Sequence, residues 1–197
     1  MAAVTSRSWI RAVSIGAVLV ALAGCGNSGN TSAPSATTTT TSGASWSRPD
    51  APPDPRTLLR TGATAVATVP NSTLIFIESE TDDAGTWKVQ VVTPDGTEQQ
   101  MKIGVDGFTV LVGPTPKNDS AADKAEHRNL VQAAHLDYQA AVNKTLAALP
   151  NGSITKLNLD QKNGTTSWDA DVWDVNLVEH QVTINAASGE LVANKQV

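Results

Sequence analysis

"YQAAVNKTLAALPNGS", residues 138–153, has the same plan as "LLRTGATAVATVPNS", residues 58–72, about 80 positions earlier in the chain. Each stretch has apolar residues at helical spacing before a Pro-Asn pair, and short segments with alternating apolar residues follow. Trp168 in the second copy corresponds to Trp87 in the first, with nearly the same offset as the Pro-Asn pairs. Matches in the same order at a near-constant offset predict a duplicated supersecondary unit.

Each copy is predicted to begin with a capped helix. An acidic or hydroxyl residue at the N-cap accepts hydrogen bonds from the first free amides, and a proline ends the helix downstream. Upstream of the second copy, a further helical stretch leaves open whether 120–149 is one helix or two. The predicted helix starts are Asp54, Asp137 and the capping-box pair Ser120 and Asp123.

Strand-like segments follow each helix, and turn sequences such as Pro94-Asp95-Gly96 separate them. The alternating residues predicted to face the helices are Trp87, Val89, Val91, Met101, Ile103, Val105, Trp168, Val182 and Ile184. The predicted fold class is α+β, with two α-β-β-β(-β) repeats that each pack a helix on an antiparallel sheet. Repeat 1 is assigned to 54–116, and a linker helix with repeat 2 to 117–197.

The helix, the strand that begins with tryptophan and the closing segment together resemble the PepSY domain. In the second copy, residues 182–191 (VTINAASGEL) match the closing pattern of that family, with Asn185 where the family usually has Asp. In the first copy Asp106 is kept, but the turn after it is shorter. The resemblance implies a binding or inhibitory module, often linked to protease regulation, and no catalytic residues.

The N-terminal segment has the three parts of an export signal, assigned to 1–24. Two arginines precede an apolar stretch of twelve residues, about 18 Å as a helix, which is too short for a hydrocarbon core of about 30 Å. Cys25, the only cysteine, follows Leu22, Ala23 and Gly24, and this ending resembles a bacterial lipobox. The resemblance implies diacylglyceryl attachment to Cys25; the alternative is a free cysteine beside an ordinary cleavage site.

Residues 25–53 are rich in Ser, Thr and Pro and are predicted to form a disordered tether. Removal of 1–24 takes away two of the 14 basic residues and none of the 19 acidic residues, so the net charge changes from −5 to −7. This balance argues against nucleic acid as a partner. A single cysteine allows no internal disulfide.

No pattern in the chain predicts a catalytic, metal or cofactor site. His127 and His135 fall on a predicted helix but lack the spacing of a zinc motif, and His180 follows Glu179 in a predicted strand. Neither Asp82-Asp83 nor the acids of 169–171 have the spacing of a calcium loop. The sequence therefore predicts no enzyme and no cofactor.

The stretch 167–174, SWDADVWD, is predicted to carry the binding face. If Trp168 and its alternating neighbours face the helix, Asp169, Asp171 and Trp173 lie on the other face, unless a bulge or second sheet buries Trp173. We expect a lipid-anchored, extracytoplasmic binding module that engages or regulates another envelope protein, with peptidases among the candidates. The alternatives are a carrier or sensor of a lipid or small ligand, and a purely structural lipoprotein.

Overall fold

The computed structural model describes residues 54–80 and 85–197. The predicted signal peptide, the lipobox with Cys25, the tether and Asp82-Asp83 lie outside the described residues. Within the described part, three helices and eight strands follow one another: α1 (Pro55–Thr68), β1 (Thr73–Ser79), β2 (Trp87–Val92), β3 (Glu98–Ile103), β4 (Val110–Pro116), α2 (Ala121–Ala133), α3 (Tyr138–Ala148), β5 (Ser153–Lys162), β6 (Thr165–Trp173), β7 (Glu179–Asn185) and β8 (Leu191–Gln196).

All eight strands belong to one antiparallel sheet with the order β4-β3-β2-β1-β5-β6-β7-β8. The first strands of the two repeats, β1 and β5, pair at the centre, with Ile77 opposite Leu157. Each repeat then extends outward from this pair, so its last strand forms an edge of the sheet. The predicted α+β class is confirmed, and the two repeats share a single sheet.

The core lies between one face of the sheet and the helices. Trp87 and Trp168 are each only 1% exposed, which confirms their prediction as core residues. The helices α1 and α3 meet where Gly62 faces the ring of Tyr138, so closely that a Cβ at Gly62 would lie 2.5 Å from the Tyr138 Cε2 atom. This direct contact agrees with the small residues that the sequence places on both helices.

Local hydrogen bonds set the helix boundaries as predicted. Asp54 accepts from the Arg56 amide at 3.0 Å, and Asp137 accepts from the Ala140 amide at 2.8 Å. Ser120 and Asp123 form the reciprocal capping box at the start of α2. The segment 120–149 is two helices, because the chain leaves helical geometry at 134–137 before Asp137 caps α3.

The Pro-Asn pairs have the same backbone conformation in both repeats. Asn71 and Asn151 adopt φ values of 62° and 60°, the left-handed region in which a chain commonly leaves a helix. Asparagine enters this region more easily than most residues other than glycine. The repeat seen in the sequence is therefore a repeat in the backbone.

One predicted strand residue is in a turn. Val105 does not continue the buried alternation of Met101 and Ile103: β3 ends at Ile103, and Val105 is 65% exposed. The turn is closed by Asp106, whose carboxylate accepts from the Thr109 hydroxyl at 2.6 Å and from the Thr109 amide at 3.0 Å. These bonds, with a further one from an adjacent amide, lower the pKa of Asp106 from 3.8 to about 2. The turn takes the position that periodicity alone assigned to the strand.

Candidate functional site

The predicted binding residues lie on the sheet face opposite α1 and α3, which we term the outer face. Trp168, Ala170 and Val172 are buried toward the helices at 0–1% exposure. Their alternating neighbours in β6, at positions 169, 171 and 173, are half-buried. The alternation predicted for SWDADVWD is therefore confirmed, and Asp169, Asp171 and Trp173 share the outer face.

Lysines from β5 partner both carboxylates. Asp169 accepts from Lys162 Nζ at 2.8 Å and from the Thr183 hydroxyl at 2.7 Å. The bond to Asp169 raises the pKa of Lys162. Asp171 lies 3.8 Å from Lys156 Nζ. The predicted binding face therefore carries cross-strand ion pairs and is not a bare acidic patch, which the sequence of β6 alone does not indicate.

Trp173 ends β6 between Ser153 of β5 and Glu179 of β7. Its side chain is half-buried, between the fully exposed and fully buried alternatives that the sequence left open. A bulge does occur nearby, between Ile154 and Lys156 of β5, but it leaves Trp173 on the outer face. The tryptophan therefore presents part of its ring at one end of this face.

A second aromatic residue, Phe76, lies near the middle of the outer face and was not singled out from the sequence. In the central strand β1 it pairs with Gln90 on one side and Asn158 on the other. The ammonium groups of Lys88 and Lys156 lie 5.7 and 6.0 Å from the centroid of its ring, within the range of cation–π attraction. The signal for Phe76 was its place in the alternation of β1, out of phase with the buried Ile77.

A separate polar cluster lies where α2 crosses the β2–β3 turn. His127 of α2 donates from Nδ1 to the Gly96 carbonyl at 3.0 Å, since a carbonyl oxygen can only accept. The other imidazole nitrogen, Nε2, is 3.8 Å from a Glu98 oxygen, and Nδ1 is 3.9 Å from an Asp119 oxygen. Lys117 pairs with Glu98 at 3.0 Å, which raises the pKa of Lys117. These side chains tie α2 to the hairpin.

The other two histidines occupy different surroundings. His135 lies beyond the end of α2 and is exposed. His180 in β7 is half-buried, with Nε2 3.7 Å from Asp174 and Nδ1 3.1 Å from the Asn194 side-chain oxygen. The two histidines predicted on one helix thus do not share a site. In the described part of the chain, no helix is long and apolar enough to cross a bilayer.

Two clefts open beside the helices. One of about 560 Å³ lies between α2 and the strands β1 and β5, near Leu130 and Leu159. The other, of about 500 Å³, lies beside Val66 and Tyr138, where α1 meets the start of α3. The second cleft borders Tyr138, whereas none of the described residues that line the first cleft belongs to α1 or α3.

Comparison with known proteins finds weak structural similarity to two solved structures and assigns the chain to no sequence family. No family model matches the chain, and no curated protein matches it. A candidate lipoprotein, CD1622 from Clostridium difficile 630, aligns at a TM-score of 0.43 and 15% identity over 68% of this chain and 88% of that protein. YpmB from Bacillus subtilis aligns at a TM-score of 0.30 and 12% identity over 68% and 95%. Likeness at this level carries no functional argument, and PepSY membership stays a prediction.

Proposed function

We propose that the chain is a lipid-anchored bacterial lipoprotein whose folded domain binds another protein of the cell envelope without catalysing a reaction. The observation that carries the binding role is the outer face of the sheet. It presents Phe76 and Trp173 among cross-strand ion pairs involving Asp169 and Asp171. Aromatic residues surrounded by polar groups are the composition of interface hot spots.

The dimensions of the outer face suit a protein partner better than a small molecule. Eight strands spaced about 4.8 Å apart span about 34 Å, and six residues of strand extend about 20 Å. The resulting area of about 700 Å² is close to the roughly 800 Å² that each partner contributes to a standard interface. Small-molecule sites are concave, whereas a sheet face is broad.

The anchor in this proposal is the lipid on Cys25, which follows Leu22-Ala23-Gly24. Stable membrane attachment takes two or more acyl chains, because one chain gives only reversible binding. If residues 26–53 form the tether predicted from the sequence, a flexible chain of these 28 residues would span about 30 Å. We expect the chain to sediment with membranes and its Cys25→Ser variant to be released; equal sedimentation of both, without added lipid mass on Cys25, would remove the anchor from the proposal.

A site-specific photo-crosslinker tests the binding role. We would place it at Asp171 on the outer face and, as a matched control, at Asn143, an exposed position on α3. The proposal expects a discrete crosslinked envelope protein from position 171 and none of the same mass from 143. Crosslinking must also fall when Trp173→Ala is combined with the probe at 171. Identical products from both positions, or no product from 171, would contradict binding through this face.

A peptidase is the partner class that the PepSY resemblance favours. The test uses the partner that crosslinking identifies, purified on its own. Its rate of peptide hydrolysis is measured with and without the purified lipoprotein. A decrease that Trp173→Ala abolishes supports regulation of a peptidase. A partner without peptidase activity leaves the binding role in place and rejects this finer assignment.

The small-ligand alternative has less support. It predicts a large apolar space between helices and sheet. Gly62 of α1 packs directly on Tyr138 of α3, and the cleft of about 560 Å³ between α2 and the sheet is lined in part by the charged side chains of Glu126 and Asp160. Native mass spectrometry after gentle release from membranes would reveal an added mass if a lipid or metabolite were carried. The protein-binding proposal expects the mass of the chain with its own anchor.

A further inference from the structure

Three side chains with metal-ligand chemistry converge where α2 crosses the β2–β3 turn. Glu98 begins β3, Asp119 precedes α2, and His127 lies in its second turn. When one ligand atom is taken from each residue, the three atoms lie within 4.8 Å of one another. One imidazole and two carboxylates form a donor set that suits zinc and related divalent cations.

The carboxylates of this cluster are buried, unlike ordinary surface acids. The side chains of Glu98 and Asp119 are only 4% and 2% exposed, and that of His127 is 16% exposed. The nearby lysine, Lys117, contacts Glu98 from a side chain that is 51% exposed. Glu98 also accepts from Gln100 Nε2 at 2.9 Å, and Asp119 accepts from the Glu98 amide at 2.9 Å. These amide donors are neutral, so among the described residues Lys117 is the one lysine paired with the two buried carboxylates, and a bound cation would lower the cost of burying them.

The tautomer of His127 supplies an independent argument. Because Nδ1 donates to the Gly96 carbonyl, the nitrogen that faces Glu98 is Nε2. A neutral ring with hydrogen on Nδ1 has its lone pair on Nε2, and that lone pair faces a carboxylate oxygen 3.8 Å away. Such an arrangement leaves Nε2 as the ring nitrogen that can ligate a metal ion. Metal-bound histidines characteristically donate their other ring N–H to a carbonyl or carboxylate, as His127 does.

We propose that Glu98, Asp119 and His127 form a binding site for one divalent transition-metal cation, for which Zn²⁺ is the natural probe. Bond lengths of about 2.0–2.2 Å place tetrahedral ligand atoms about 3.4 Å apart, so ligand atoms that now lie within 4.8 Å must approach by up to about 1.4 Å through rotations about their side-chain torsions. Lys117 would leave Glu98 for solvent, which its half-exposed side chain permits. Water would complete the coordination, and the bound ion would tie α2 to the β2–β3 hairpin.

The test is a calorimetric titration of the full chain with ZnCl₂ at pH 7.5. The protein carries Cys25→Ser to remove the only thiol, has no histidine tag, and is purified in detergent and stripped with chelator. We expect one Zn²⁺ per chain, with affinity reduced at least about tenfold by His127→Ala and by Glu98→Gln. His135→Ala is the matched control, since His135 is exposed just beyond the same helix, and it should leave binding unchanged.

Circular dichroism of each variant establishes that it is folded, and Glu98→Gln keeps the shape of the side chain. Co²⁺ absorption gives a second readout, because a His-carboxylate site of low coordination number produces visible bands that His127→Ala should abolish. The proposal is overturned if the parent chain shows no Zn²⁺ binding with a dissociation constant of about 100 micromolar or tighter, which corresponds to about 5 kcal/mol of binding free energy. Binding that survives His127→Ala, or that His135→Ala removes, overturns it equally.

Discussion

The packing of α1 on α3 can be tested by Gly62→Ala. In a helix, alanine is ordinarily about 1 kcal/mol more stable than glycine. Here the added Cβ would lie 2.5, 2.9 and 3.1 Å from Cε2, Cζ and Cδ2 of Tyr138, where carbon contacts of about 3.5–4.0 Å are normal. The ring must therefore move by about 1 Å.

Tyr138 has little freedom to make that movement. The residue is 8% exposed, and its hydroxyl donates to the Leu59 carbonyl at 3.4 Å. Overpacking of this kind costs about 1–3 kcal/mol. After the helix-propensity gain of about 1 kcal/mol is subtracted, we expect Gly62→Ala to lower the free energy of unfolding by about 0–2 kcal/mol.

Urea unfolding followed by tryptophan fluorescence measures this change, since Trp87 and Trp168 are buried. In a Tyr138→Leu background, which lacks the Cε2 and Cζ atoms, Gly62→Ala should become neutral or stabilising. Ala67→Gly, at an exposed position of α1, calibrates helix propensity in the same helix. A stabilisation of about 1 kcal/mol by Gly62→Ala in the parent chain would refute direct packing of the two helices.

Three further outcomes follow from the structure. Trp168→Ala should lower the free energy of unfolding by about 3–5 kcal/mol, because the indole is buried and donates to the Leu136 carbonyl at 3.0 Å. A decrease under about 1 kcal/mol, measured by calorimetry, would contradict the core position of Trp168. Asn71→Ala and Asn151→Ala should each cost about 0.5–1 kcal/mol in urea unfolding, because alanine is strained at positive φ, and replacement by glycine should cost nothing. The Asp106 carboxyl has its pKa lowered in the folded chain, so its stabilising contribution is complete above about pH 4 and is lost as the pH falls toward about 2. Asp106→Asn should accordingly lose less stability over that interval than the parent chain, and an NMR titration midpoint near 4 for Asp106 would contradict its hydrogen-bonded state.

The local features of the fold were predictable from short stretches of sequence. Caps at Asp54 and Asp137 join a side chain to an amide two or three residues away, so their partners are visible in the sequence. Alternation likewise placed Trp168 in the core and Trp173 on the opposite face. The error at Val105 arose because alternation does not show where a strand turns.

The candidate sites depended on contacts that sequence distance conceals. Glu98 and His127 are 29 positions apart, and Lys156 of β5 lies near Phe76 of β1, 80 positions earlier in the chain. Phe76 became part of the outer face once β1 was placed at the centre of the sheet. Sequence patterns gave no indication of these partnerships, since residue type alone does not specify which strand lies beside which.

By itself, the sequence determined the duplicated unit, the α+β class, the main helix caps and which side of β6 is buried, because hydrogen bonds and periodicity over a few residues govern these. Tertiary structure decided that β1 and β5 join both repeats into one sheet and that α2 closes over the β2–β3 turn. The physical reason is the burial of apolar surface. Each repeat has an apolar helix face and an apolar sheet face, and pairing β1 with β5 brings these faces of the two repeats into one common core.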